Sequence, residues 1–192
     1  MPVDCSSILG RYFDGAGFNL ITVHGRLVAD LALHICDCTT PVPSAEERRF
    51  IEEAALLHDI GICRVNAPDI GMHGEHPYLM HGVIGRGILE EEGLPKHALV
   101  CERHIGVGLT VTDIDMGGLP LPRRDMTPQS RAEEIICFAD LFYSKSPGKL
   151  ELRKHPDKVR RKLAAFGPDK LQIFDIWMKQ FGCALLAAPV PE

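Results

Sequence analysis

"AALLHDIGICR", residues 54–64, runs as an apolar helical segment and then sets an imidazole and a carboxylate side by side at its inner end, His58 and Asp59. A helix C-terminus accommodates a cation and a left-handed glycine, so His58 and Gly61 fit a plain helix stop. Asp59 does not, because a carboxylate is unfavourable beside the carbonyl end of a helix dipole. Positive charge is needed near Asp59, and the surrounding sequence has to identify its source.

Helix signals dominate on both sides. Residues about 19–37 place Leu20, His24, Leu27, Leu31 and Ile35 on one face at three-to-four spacing. "TTPVPS" (39–44) is a loop, and Ser44 with Glu47 forms a capping box for a helix that lines up Phe50, Ala54, Leu57 and His58. Residues 62–76, with Pro68, Gly71 and Gly74, read as a loop. A helix over about 77–92 is closed by Gly93, and Leu94-Pro95 starts a short helix reaching His104. Residues 106–126, with "MGGLPLPRRDM", form a long irregular segment, expected to be mobile beside a functional site. Thr127-Pro128 and a Ser130/Glu133 capping box open a helix through Asp140 to about Ser144, followed by helices over roughly 156–166 and 168–181. No period-2 strand stands out. The expectation is an all-α single domain spanning 1–192, a helical bundle of about seven to nine helices, with 146–192 packing as C-terminal helices on the core.

Composition sets outer bounds. The chain has 192 residues, 45% apolar and 24% charged, ordinary for a soluble globular protein. Runs such as "IICFADLF" fall well short of the ~20 apolar residues of a membrane span. "MPVDCSSILGRYF" lacks a basic n-region and a long apolar h-region, so no membrane partner is expected and the location is read as cytoplasmic. Seven cysteines without a CxxC pair read as reduced thiols. A net charge of −5, from 21 basic and 26 acidic residues, speaks against a nucleic-acid polymer as partner. It leaves room for a small phosphorylated substrate held by local cations. Whether the chain forms a homodimer is open at this level.

Four histidines fall on apolar helical faces. His24 shares a stripe with Leu27 and Leu31, His58 ends the face of Ala54 and Leu57, His81 goes with Ile84 and Ile88, and His104 follows Val100 by one turn. Asp140 sits in the middle of "IICFADLFY". One inward histidine is ordinarily a hydrogen-bonded core residue. Four imidazoles and two carboxylates turned inward from five helices would make an expensive core, since buried charge is costly without a partner. A metal removes that cost, because neutral imidazole and carboxylate are ligands for Fe, Mn, Zn or Ni.

With those residues on the page, the chain resembles the HD superfamily of metal-dependent phosphohydrolases: His24, then "LHDIG" (57–61), then Asp140 in "FADLFY" match its H…HD…D pattern, over roughly 18–145. "HGVIGRGILEEEGLP" (81–95) and "ERHIG" (102–106) resemble the extra histidine helices of its two-metal branch, and with no GYP signature present a cyclic dinucleotide is not the expected substrate. The resemblance implies that His24, His58, Asp59 and Asp140 hold one divalent transition metal and that Asp59 bridges to a second held by His81 and His104. Fe or Mn come first, with Zn, Ni or Co as other fits. Two ions about 3.5–4 Å apart clamp a phosphate and generate a bridging hydroxide as nucleophile. The implied activity is hydrolysis of a phosphomonoester or phosphoanhydride of a nucleotide or nucleotide-like substrate. A mixed-valence di-iron oxygenase on the same scaffold and a metal-stabilised sensor without turnover are the alternatives. Beyond the metals, Arg103 beside His104 and Lys145 just past the Asp140 helix are the catalytic cations expected alongside Asp59. Arg123 and Arg124 are read as solvated, His73 and His76 as surface residues near the mouth of the site, and His34, His97 and His155 as structural or exposed.

Overall fold

The computed structural model describes residues 2–187. Among them are ten α-helices: α1 (Cys5–Tyr12), α2 (Gly15–Cys38), α3 (Ala45–Leu57), α4 (His81–Glu91), α5 (Pro95–Arg103), α6 (Val111–Gly117), α7 (Arg131–Leu141), α8 (Pro156–Ala164), α9 (Pro168–Phe181) and α10 (Cys183–Ala187). Short 3-10 turns cover Ile60–Arg64, Pro68–Ile70 and Tyr78–Met80, and β1 (Asn66–Ala67) pairs antiparallel with β2 (Met72–His73). The fold is the expected all-α one.

The seven helices that carry strong periodicity lie where the sequence places them. Their ends follow from local chemistry. Ser44 Oγ accepts from the Glu47 amide at 3.2 Å, and Ser130 Oγ from the Glu133 amide at 3.3 Å, which satisfies otherwise unpaired N–H groups at the starts of α3 and α7. Pro95, Pro156 and Pro168 stand in the first turns of α5, α8 and α9, where the missing N–H costs nothing. Gly93, at φ +76°, stops α4, and the Leu94 amide returns to the Leu89 carbonyl at 2.8 Å.

The additions are short elements. α1, α6 and α10 have eight, seven and five residues, too short to show a hydrophobic period. Segment 106–126 is less irregular than its composition suggests. It contains α6, opened by a reciprocal Thr110/Asp113 capping box, and its base is closed by mutual backbone bonds between Leu109 and Met126 of 3.0 and 2.7 Å. Gly61 also differs from expectation. It is not left-handed but lies in the 3-10 turn Ile60–Arg64, where a β-carbon would collide with backbone of α4.

Two apolar clusters hold the helices. One joins α2, α3, α7 and α9 through Ile35, Ile51, Phe138, Phe174, Trp177 and Phe181, so the C-terminal helices are part of the main core. The other joins α1, the turn after α3, α4 and α5 through Leu9, Ile60, Ile62, Ile88, Leu89 and Ala98. α3 serves both, giving Ala54 and Ala55 to the first and Leu57 to the second. His58 and Asp59 are the next two residues along.

Candidate metal centre

Five helices deliver six side chains to one place. His24 comes from mid-α2, His58 caps the C-terminus of α3 with Asp59 next to it, His81 opens α4, His104 caps α5, and Asp140 is the last residue but one of α7. All four histidines and Asp59 are buried.

Three of the imidazoles are held in the same way. His58 Nδ1 donates to the Ala55 carbonyl at 2.6 Å, His81 Nδ1 to Tyr78 at 2.7 Å, and His104 Nδ1 to Cys101 at 2.7 Å. Each acceptor is the carbonyl three residues back, within a helix end or turn where the backbone leaves it accessible. A carbonyl can only accept, so the proton is on Nδ1 and Nε2 presents a lone pair. His24 sits mid-helix, where carbonyls are committed to the backbone, and its buried Nδ1 has no hydrogen-bond partner.

The free edges converge on Asp59. Its Oδ2 is 3.1 Å from His58 Nε2 and 3.2 Å from His24 Nε2, while Oδ1 is 3.5 Å from Nε2 of both His81 and His104. Asp140 Oδ1 lies 2.9 Å from His24 Nε2 and 3.5 Å from His58 Nε2. The donors thus form two sets, His24/His58/Asp59/Asp140 and Asp59/His81/His104, each with its ligand atoms within 4.8 Å of one another. The 3.1 Å contact between His81 Nε2 and His104 Nε2 sets two lone pairs face to face. Burial and the neighbouring His104 pull His81 down to about 4, so His81 does not relieve that contact by taking up a proton at neutral pH. Asp59 Oδ1 and His58 Nε2 are buried without a hydrogen-bond partner, while Asp59 Oδ2 meets the Lys145 ammonium. Orphaned acceptors of this kind, with Nδ1–H locks behind them, fit a divalent transition metal held by imidazole and carboxylate.

The charge that Asp59 requires is present in part within the chain. Lys145 Nζ reaches 2.5 Å from Asp59 Oδ2 and 3.1 Å from His24 Nε2. Burial disfavours its ammonium, but Asp59 and Asp140 outweigh burial and hold it protonated. The same balance acts on His58, where burial pulls down and Asp59 and Asp140 raise the imidazole to about 10, so beside these carboxylates alone its Nε2 carries a proton that it must give up to serve as a ligand. Burial works against both carboxylates, yet His58 and Lys145 keep Asp59 well below the usual range, and Lys145 and His24 do so for Asp140.

The arginines are placed elsewhere. Arg103, expected as a catalytic cation, instead donates to Glu133 Oε1 and Oε2 at 3.3 and 3.1 Å and is not among the cleft-lining residues. Adjacent positions on a helix diverge by about 100°, so His104 turning inward sends Arg103 aside. Arg123 pairs with Asp115 at 2.7 Å, and Arg124 pairs with buried Glu102, which also accepts from Arg86. His73 and His76 are exposed around the small hairpin, His97 faces Glu53 and the Phe50 ring, and His155 caps α8.

A cleft of about 1770 Å³ opens from the cluster, with His81, His104, Asp140, Lys145 and Tyr78 among its lining residues and α6 and α8 along its sides. The Tyr78 ring stands 4.9 Å from that of His81, and burial pushes its phenol up to about 12. Sequence reasoning missed Tyr78, which carries no periodic signal in its turn. It also missed the lysines of α8, whose i, i+4 spacing was readable but whose facing was not.

Comparison with known proteins places these features. The chain is 31% identical over 127 residues to a tRNA (cytidine(56)-2'-O)-methyltransferase of Picrophilus torridus, covering 66% of this chain and 32% of that protein. It is 42% identical over 93 residues to an uncharacterized protein of Methanocaldococcus jannaschii, covering 47% of each. The chain therefore spans a third to a half of the length of these relatives. Among solved structures, the HD domain of the L. monocytogenes phosphodiesterase PgpH, in complex with cyclic-di-AMP, superposes with a TM-score of 0.54 at 14% identity, over 97% of this chain and 100% of that one. That likeness is one of fold. The HD domain family matches residues 22–144, a stretch that contains every histidine and aspartate of the cluster and stops one residue short of Lys145. By that match over most of its length, the chain belongs to the HD domain family.

Proposed function

We propose that the protein is a metal-dependent phosphohydrolase, cleaving a phosphomonoester or phosphoanhydride of a nucleotide or nucleotide-like molecule with two divalent ions bound. The observation that carries this reading is the repeated lock, three histidines fixed through Nδ1 so that Nε2 converges with both oxygens of Asp59. The ions would supply Lewis acidity toward phosphoryl oxygens and an activated water near neutral pH.

The chain's own residues do the rest. His24, His58 and Asp140 would hold one ion and His81 and His104 the other, with Asp59 common to both groups. Lys145, kept protonated beside Asp59 and Asp140, is positioned to meet a phosphoryl oxygen as negative charge builds there. Tyr78 stays a neutral phenol and lines the cleft beside His81. The neighbour's cyclic dinucleotide supports nucleotide-sized phosphate esters as the first substrates to test.

The test is anaerobic. The Mn- or Fe-loaded protein is incubated with nucleotides and generic phosphoesters, and release of phosphate or nucleotide is measured. Turnover that is lost with chelator and in Asp140→Asn is the expected result. No turnover of any phosphoester, with O₂ uptake on an organic substrate, would favour an oxygenase instead.

A further inference from the structure

The cations of this chain are distributed unevenly. Its arginines are mostly taken up by carboxylates: Arg26 by Glu52, Arg48 by Asp37, Arg86 and Arg124 by Glu102, Arg103 by Glu133, Arg123 by Asp115, and Arg160 by Asp175. Lys149, Lys158 and Lys162 are different. All three are exposed, all three line the cleft that holds His81, Asp140 and Lys145, and none of them has a carboxylate partner among the described residues. Lys158 and Lys162 are one turn apart on the same face of α8, an arrangement of like charges that weakens a helix.

Asp113 is held by Lys170 at 2.5 Å and Asp169 by the same ammonium at 3.3 Å. Of the other carboxylates lining the cleft, Asp140 is engaged by His24 and only Asp69 is left without an ion pair among the described residues. Lys154, between the two groups in sequence, is spent on the Leu141 and Tyr143 carbonyls. It is brought down to about 8, first by burial and then by the field of Lys162, Lys145 and Lys158. Beside this row, Met116 and Phe166 line the same cleft at 85% and 70% exposure, giving it an apolar shelf.

We propose that Lys149, Lys158 and Lys162 form a distal anion subsite, which takes a second negatively charged group of a substrate whose reacting phosphate lies at the His/Asp cluster. The substrate class is an organic phosphate with a further phosphate or carboxylate separated from the first by an apolar or aromatic portion, which rests on Met116 and Phe166. This deepens the phosphohydrolase reading and rests on it for the reacting end only. Cations facing a cleft raise the local concentration of an anion and fall in effect with salt.

The experiment uses Lys158→Gln/Lys162→Gln, with unchanged circular dichroism and a melting temperature no lower than that of the wild type as the folding control. Calorimetry follows inorganic tripolyphosphate binding to metal-free wild type and variant at low and high salt. Affinity about tenfold weaker in the variant, with a shallower salt dependence, is expected. On the metal-loaded enzymes, KM for a nucleoside bisphosphate should rise about tenfold while p-nitrophenyl phosphate is unaffected. Equal tripolyphosphate binding by both proteins, or an equal loss on both substrates, overturns the subsite. Lysine-dependent tripolyphosphate binding without hydrolysis of any phosphoester would leave the subsite standing and remove the hydrolytic reading.

Discussion

A β-carbon on Gly61 would stand 2.0 Å from the carbonyl oxygen of His81 and 2.4 Å from the amide nitrogen of Gly85. The turn behind Asp59 therefore rests directly on the first turn of α4, and that contact sets His81 against Asp59. Gly61→Ala should cost about 1–3 kcal/mol, as overpacking against unyielding backbone does. It should also weaken metal retention by the His81/His104 set more than by the His24/His58 set. Denaturant unfolding with metal analysis checks both, and a variant unfolding at the wild-type midpoint would show that the approach can relax.

Metal content separates the two donor sets. His81→Ala or His104→Ala should lower the stoichiometry from two towards one ion per chain, whereas Asp59→Ala should disturb both, since its two oxygens face different sets. Elemental analysis after desalting is the measurement. Unchanged content in the His81 and His104 variants would remove the second ion.

Glu102, almost fully buried, accepts from Arg86 at 2.6 Å and from Arg124, tying α4 and the end of the 106–126 segment to α5. Both arginines keep partial access to water and can resolvate. Glu102→Gln should thus cost about 1–3 kcal/mol rather than more, read by chemical denaturation. Hydrogen exchange across 119–126 should rise in parallel, and unchanged exchange there would mean that Arg124 does not anchor the segment.

Lys154 gives a pH signature. Its ammonium drops from 10.5 to about 8 in the folded protein, with burial as the main cause. Between those values the unfolded chain holds a proton that the native one has released, so this group makes stability rise as pH increases through that window. Below about 8 both states are protonated and the native state bears the full cost of a buried charge. Lys154→Met lacks the effect, so wild type should gain on it between pH 8 and 10.5 in denaturant titrations. A constant difference over that range would reject the assignment.

How far the sequence could be read depends on what each residue signals locally. His24, His81 and His104 show themselves because each interrupts an apolar helical stripe, and Asp140 because a carboxylate in "IICFADLFY" has no other excuse. Arg103 and Lys145 were equally visible as charges, yet their fates differ. Lys145 folds back into the cluster past the end of α7, while Arg103 is captured by Glu133, a residue thirty positions away. Pairing at such a distance leaves no local trace. Gly61 was legible as a glycine but not for its reason, since the steric demand comes from α4, twenty residues on. α6 escaped notice because a seven-residue helix has less than two turns in which to show a period.

The contact of His24 with Asp140 joins positions 116 residues apart in sequence. An ion gripped by both is, for the polymer, a cross-link that closes a loop comparable to the HD domain itself. Its effect on the unfolded chain is that of any long-loop staple, with one difference: the staple is exchangeable. Its strength follows the free concentration of the ion, at about 2.7 kcal/mol when that concentration is a hundred times the dissociation constant. On the two-ion reading, the melting temperature should keep rising with free ion concentration after the site is already almost fully occupied.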